Sequence, residues 1–87
     1  MQINIVYEES ICTGDLVSKA RVSIDDSGNM IVEGSIVIPN PCHKLIINAE
    51  IVGSSLNIYL STKRIEGFCI QCVAKKIFKA IITGIPK

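Results

Sequence analysis

A chain of 87 residues has room for one domain, spanning 1–87, and buries only about 60–65% of its unfolded surface, so cross-links, a metal or a second subunit would help it. Apolar residues make up 48% and aromatics only 5%, with no tryptophan, which points to a core of β-branched side chains suited to strands. Nine basic against eight acidic residues give +1, a balance that offers no field for nucleic acid or an anionic membrane.

Period-two alternation organises the chain from its start. Ile3, Ile5 and Tyr7 alternate with Asn4 and Val6 in a first strand within Gln2–Tyr7. Leu16, Ser18, Ala20, Val22 and Ile24 share one face of a second strand. Asp25-Asp26-Ser27-Gly28-Asn29 reads as a turn, because Gly and Asn tolerate positive φ and Asp bonds to nearby backbone. Met30, Val32, Ile36 and Ile38 define a third strand, with Gly34 as a bulge or a close approach. Residues 16–38 are therefore predicted to form a hairpin.

Pro39-Asn40-Pro41 stops that strand, since proline removes ladder donors. Lys44–Val52 and Leu56, Ile58 and Leu60 form a second predicted hairpin about Gly53-Ser54-Ser55. The tail reads two ways. Ile70, Val73, Ala74, Ile77, Phe78 and Ile81 fit helical spacing, with Lys75, Lys76 and Lys79 opposite, which predicts an amphipathic helix over 68–82. A bulged, half-buried strand is the rival.

The run Pro39-Asn40-Pro41-Cys42-His43, followed by Gly67-Phe68-Cys69-Ile70-Gln71 and closed by Gly84-Ile85-Pro86, resembles a pattern in small uncharacterised archaeal and bacterial proteins. These look like immunoglobulin-type β-sandwiches, often secreted. The resemblance covers roughly residues 30–86. It implies that the tail is a strand and that Cys42 and Cys69 form a disulfide, which leaves Cys12 and Cys72 as a second pair. The chain departs from the pattern in showing no signal peptide and in stopping where relatives often add a strand.

The residues themselves keep other cysteine chemistry open. In an extended strand, positions three apart lie about 10 Å apart and face opposite sides, beyond the ~7 Å reach of a disulfide. If the tail is a strand, Cys69 and Cys72 must each find another partner. If it opens a helix or a knuckle, Cys12, Cys42, Cys69 and Cys72, or His43, could hold zinc. Adjacent Cys42 and His43 make an awkward second half for such a site, and reduced structural thiols are a third state. A thiol-redox protein using Cys69 and Cys72 would need a βαβ context, whereas two hairpins precede them.

Other candidates are weaker. Asp25 and Asp26 belong to a turn, Glu8 and Glu9 to a solvated strand end, and His43 to a turn-adjacent position with an ordinary backbone bond. Gln71 satisfies backbone near the cysteines. Lys63, Arg64, Lys75, Lys76 and Lys79 make a modest basic cluster without interleaved aromatics.

The expectation is thus an all-β, immunoglobulin-like sandwich of six or seven strands, with an α+β fold carrying a helix over 68–82 as the alternative. It is a non-enzymatic interaction module, protease-inhibitor-like or adaptor-like, with no cofactor or metal, and no nucleic-acid or membrane partner. A zinc-stabilised domain is the runner-up. The lack of a visible targeting segment or of a membrane-length apolar run sets a cytoplasmic location as default. The Ile, Lys and Glu content suits a thermophile. A homodimer through an edge strand or apolar face is expected, since an uncovered edge offers unpaired backbone groups.

Overall fold

The computed structural model describes residues 1–85. Six strands run in order: β1 (Gln2–Cys12), β2 (Lys19–Ile24), β3 (Met30–Ile38), β4 (His43–Val52), β5 (Ser55–Arg64) and β6 (Ala74–Thr83). They form two antiparallel sheets, one of four strands in the order β1-β6-β3-β2 and one of two, β4-β5. There is no helix among the described residues. The arrangement is a small β-sandwich, four strands against two.

Register sets which side chains face the core, because residues directly opposite in an antiparallel pair share a face. Met30 pairs with Ile82, Val32 with Ala80 and Gly34 with Phe78. These inward positions of β3 and β6 meet Leu45 and Ile47 of β4 in one buried cluster with Val32, Phe78, Ala80 and Ile82. Ile3, Met30, Ile36, Ile58 and Leu60 pack around it. Phe78 is the largest fully buried side chain, and removing its ring from water contributes about 3 kcal/mol.

Both predicted hairpins form. Gly53 takes φ 62 at the first central position of the β4–β5 turn, as a type II′ turn requires. In the β2–β3 turn, the Asp25 carboxylate Oδ1 accepts the Ser27 and Asn29 N–H groups, both at 2.9 Å, and Gly28 adopts φ 80. Gly34 marks a close approach rather than a bulge, since the β3 register runs through it unbroken. A Cβ there would collide with the Lys19 carbonyl oxygen.

Three sequence expectations are corrected. The tail is not a helix: 65–73 is loop and Ala74–Thr83 is the strand β6, central in its sheet. The helical spacing arose because β6 carries apolar residues on both faces: Ala74 and Phe78 point inward and are buried, while Ile77 and Ile81 point outward and are half-buried. Tyr7 does not share a face with Ile3 and Ile5. A bulge between Ile5 and Tyr7 consumes Val6 and turns Tyr7 outward opposite Lys79, and β1 then continues to Cys12. Leu16 to Ser18 belong to the β1–β2 crossing loop, so β2 begins at Lys19. The Gly84-Ile85-Pro86 motif ends at Pro86, which lies outside the described residues.

Candidate functional site

Strand directions bring three connections to one end of the sandwich: 13–18, 39–42 and 65–73. Both disulfides lie there. Cys42, just before β4, is bonded to Cys69 with Cα atoms 6.0 Å apart. Cys12, the last residue of β1, is bonded to Cys72 with Cα atoms 5.8 Å apart. The 65–73 segment is thereby tied to two neighbouring parts of the fold. In the chain-entropy picture closing the 27-residue separation stabilises by roughly 3–4 kcal/mol. The 60-residue closure contributes less than its length suggests, because the smaller loop is nested within it.

Local bonds complete the anchoring. Asn40 is buried behind Pro39, and its Oδ1 accepts the Cys42 N–H at 3.0 Å and touches the Cys69 sulfur at 3.4 Å. The Ile65 N–H donates to the Cys42 carbonyl at 2.9 Å, and the Thr13 N–H donates to the Val73 carbonyl at 3.0 Å. Gln71 Nε2 stands 3.5 Å from the Cys69 carbonyl oxygen, a weak backbone contact beside the disulfide. Gly67 takes φ 124, a conformation glycine alone adopts readily.

What this frame holds out is apolar. Cys69 is buried, yet its neighbour Phe68 is 98% exposed. Ile65, Ile70 and Val73 of the same segment are exposed, as are Leu16 and Val17 of the adjacent connection. The cationic ends of β4 and β5 border the segment, with Lys44 opposite Lys63 and His43 opposite Arg64.

The remaining candidates resolve differently from expectation. All four cysteine sulfurs are in disulfides, so Cys12, Cys42, Cys69 and Cys72 supply no thiolate for zinc. No group of three or more metal-ligating side chains occurs among the described residues. His43 lacks the expected backbone bond. Both its ring nitrogens are shielded from solvent without a hydrogen-bond partner among the described residues. The basic cluster is divided, with Lys63 and Arg64 exposed at the end of β5. Lys75 and Lys76 are buried on opposite faces of β6, and only Lys79 of that trio is exposed. Lys75 reaches Asp15 at 2.6 Å, and that ammonium, with the Val17 N–H, holds the Asp15 carboxyl below its usual range. Asp25 serves its turn.

Glu8 is the residue the sequence hid. It is no solvated strand end but faces inward from the middle of β1, opposite Phe78. Its Oε1 lies 3.2 Å from Lys76 Nζ and accepts the Leu45 N–H at 2.8 Å. One carboxylate thus neutralises a buried ammonium and satisfies a backbone donor on β4, joining the two sheets. Burial pushes the Glu8 carboxyl up, but the Leu45 N–H and Lys76 outweigh it, and the net shift is downward. Neighbouring Glu9 instead accepts the Tyr7 hydroxyl on the outer face. The bulge at Val6 was the missing signal, since it alone turns Glu8 inward.

Two disulfides fit an oxidising compartment and sit poorly with the reducing cytoplasm expected by default. No helix is long and apolar enough to cross a membrane among the described residues. No family model, curated protein or solved structure matches this chain.

Proposed function

We propose that this chain is a non-enzymatic binding module of an oxidising compartment that offers its disulfide-pinned loop end to a partner protein. The observation that carries the reading is Phe68, 98% exposed one residue away from buried, cross-linked Cys69. A large aromatic left in water costs solubility, and such groups serve as anchors that fill a pocket on a partner. Two disulfides and a short hydrogen-bonded frame limit what the backbone can lose on docking, so less of the binding energy is spent on ordering. Ile65 and Ile70 widen the apolar contact, and Lys63 and Arg64 suit a partner with an acidic rim.

The cysteines and the buried ionic groups are engaged elsewhere. The cysteines are oxidised, Glu8 and Lys76 hold the sheets together, and Lys75 is paired with Asp15. Within the binding class, a protease-inhibitor-like use draws on the same feature: a benzyl side chain on a pinned, exposed loop suits the specificity pocket of a protease that selects aromatic residues.

The test is a Phe68→Glu chain compared with the parent. Unchanged circular dichroism and melting, with loss of a protein captured from host extract by the parent, supports the proposal. Equal capture by both overturns it. A chymotrypsin-like protease inhibited by the parent and not by Phe68→Ala selects the inhibitor reading.

A further inference from the structure

β2 differs from every other strand of the fold in that all six of its residues are exposed. Its inward side chains Ala20, Val22 and Ile24 lie opposite Gly34, Val32 and Met30. Val32 is 1% exposed, whereas Val22 and Ile24 are 52% and 68% exposed. The β4–β5 hairpin therefore covers β3 and stops short of β2. The backbone is equally open, because β2 pairs with β3 alone and half of its N–H and C=O groups point away from the sheet.

The β1 and β4 edges of the sandwich are guarded. β1 carries the bulge at Val6, and β4 gives its Leu45 N–H to Glu8. β2 is straight, without proline or bulge, and its guards are two outward cations, Lys19 and Arg21. Arg21 is already neutralised by Glu33 at 2.6 Å. That leaves Lys19, and the strand itself supplies an answer to it at its other end. In an antiparallel pairing of two β2 strands centred on Val22, Lys19 falls opposite the second copy's Asp25. Ala20 then falls opposite Ile24, Arg21 opposite Ser23, and Val22 opposite itself. Asp25 takes the Ser27 and Asn29 N–H groups on Oδ1, which leaves Oδ2 to receive an ammonium.

Alternative registers are poorer. Centring on Arg21 sets two guanidinium groups against each other. Centring on Ser23 places Ala20 against Asp26 and draws Arg21 away from Glu33 toward Asp25. Only the Val22 register keeps the existing ion pair, matches Lys19 with Asp25 and aligns all three apolar positions of both copies.

We propose that two copies of this chain pair through β2, antiparallel about Val22, to make one continuous eight-stranded sheet from two four-stranded ones. The six side chains of Ala20, Val22 and Ile24 form a shared apolar stripe between the two hairpins. This interface is separate from the Phe68 loop, and neither reading depends on the other.

Light scattering behind a sizing column tests the pairing. The parent chain is expected to give twice its 9.5 kDa at high micromolar concentration. Val22→Lys places two ammonium groups together at the centre and should raise the dissociation constant by roughly 100-fold or more. Because Val22 is exposed, circular dichroism should be unchanged. The register is read by adding one cysteine at a time. Mild oxidation should join Val22→Cys chains into a covalent dimer far faster than Arg21→Cys or Ser23→Cys. A parent of monomer mass, a dimer indifferent to Val22→Lys, or preferential cross-linking at Arg21 or Ser23 would overturn the proposal.

Discussion

β6 and β2 belong to one sheet and both mix cationic residues with alanine and branched apolar side chains, yet they meet opposite fates. β6 is hydrogen-bonded on both edges and leaves only Lys79 exposed. β2 is bonded on one edge and buries nothing. Composition does not decide this; position in the strand order does. Two lysines are held inside β6 because the fold delivers a carboxylate to each, Asp15 from a loop and Glu8 from a bulged strand. Val22 and Ile24 stay in water because no second-sheet strand reaches them. Stability is concentrated on β6, and β2 is left to do something other than stabilise the monomer.

The contrast is broken most severely at Phe78. Phe78→Ala should lower unfolding free energy by about 3–5 kcal/mol, read from urea melts, a large share of what a domain this size has. Glu8→Gln comes next. It leaves Lys76 in the interior without a counter-charge, and with Glu8 a quarter exposed the loss should be about 2 kcal/mol. Adding Lys76→Met to that variant should restore much of it, and a double-mutant cycle measures the coupling.

The same carboxylate sets an acid limit. Its pKa is lower folded than unfolded, so its contribution is complete above the ordinary carboxyl value of 4.5 and is lost as pH falls through the folded value. Asp15 and Glu33 are shifted in the same direction, by Lys75 and Arg21 respectively. Melting temperature should therefore fall on acidification below that value, and Glu8→Gln should flatten the slope.

Gly34→Ala tests the join between the strong and weak strands. Its Cβ cannot coexist with the Lys19 carbonyl, so β2 must shift, at a cost of about 1–2 kcal/mol. Hydrogen exchange should show lost protection on β2 and retained protection on β6. The smallest effect is Val22→Thr, expected to change monomer stability by less than about 0.5 kcal/mol in the same melts.

Much of this architecture is legible in the sequence where one face is wet. Alternation at Ala20, Val22 and Ile24, the Asp25–Asn29 turn and the Gly53 turn all give the right hairpins. Legibility fails where both faces are apolar, as at Ile77 and Phe78, because consecutive apolar residues then imitate a helix. It fails again at Val6, where one extra residue flips the faces of all that follow and conceals Glu8. The cysteines are a mixed case. Spacing alone left zinc open, whereas the resemblance of the two cysteine motifs implied Cys42 with Cys69 and left Cys12 with Cys72, and the structure contains these two bonds. The exposure of Phe68 has no sequence signal at all, since an aromatic beside a cysteine reads as core.

The Cys12–Cys72 bond also governs how the molecule would behave under load. Gln2 and Thr83 are paired neighbours at the far end of the sheet, so tension applied between them peels β1 from β6 one bond at a time, the weak direction for a sheet. The peeling halts at the disulfide. Peeling β1 pays out only about 35 Å of chain before the covalent bond carries the force. The backbone from Cys12 to Cys72, including β2, the β4–β5 hairpin and the Phe68 loop, lies behind that stop and outside the covalent path that carries the force.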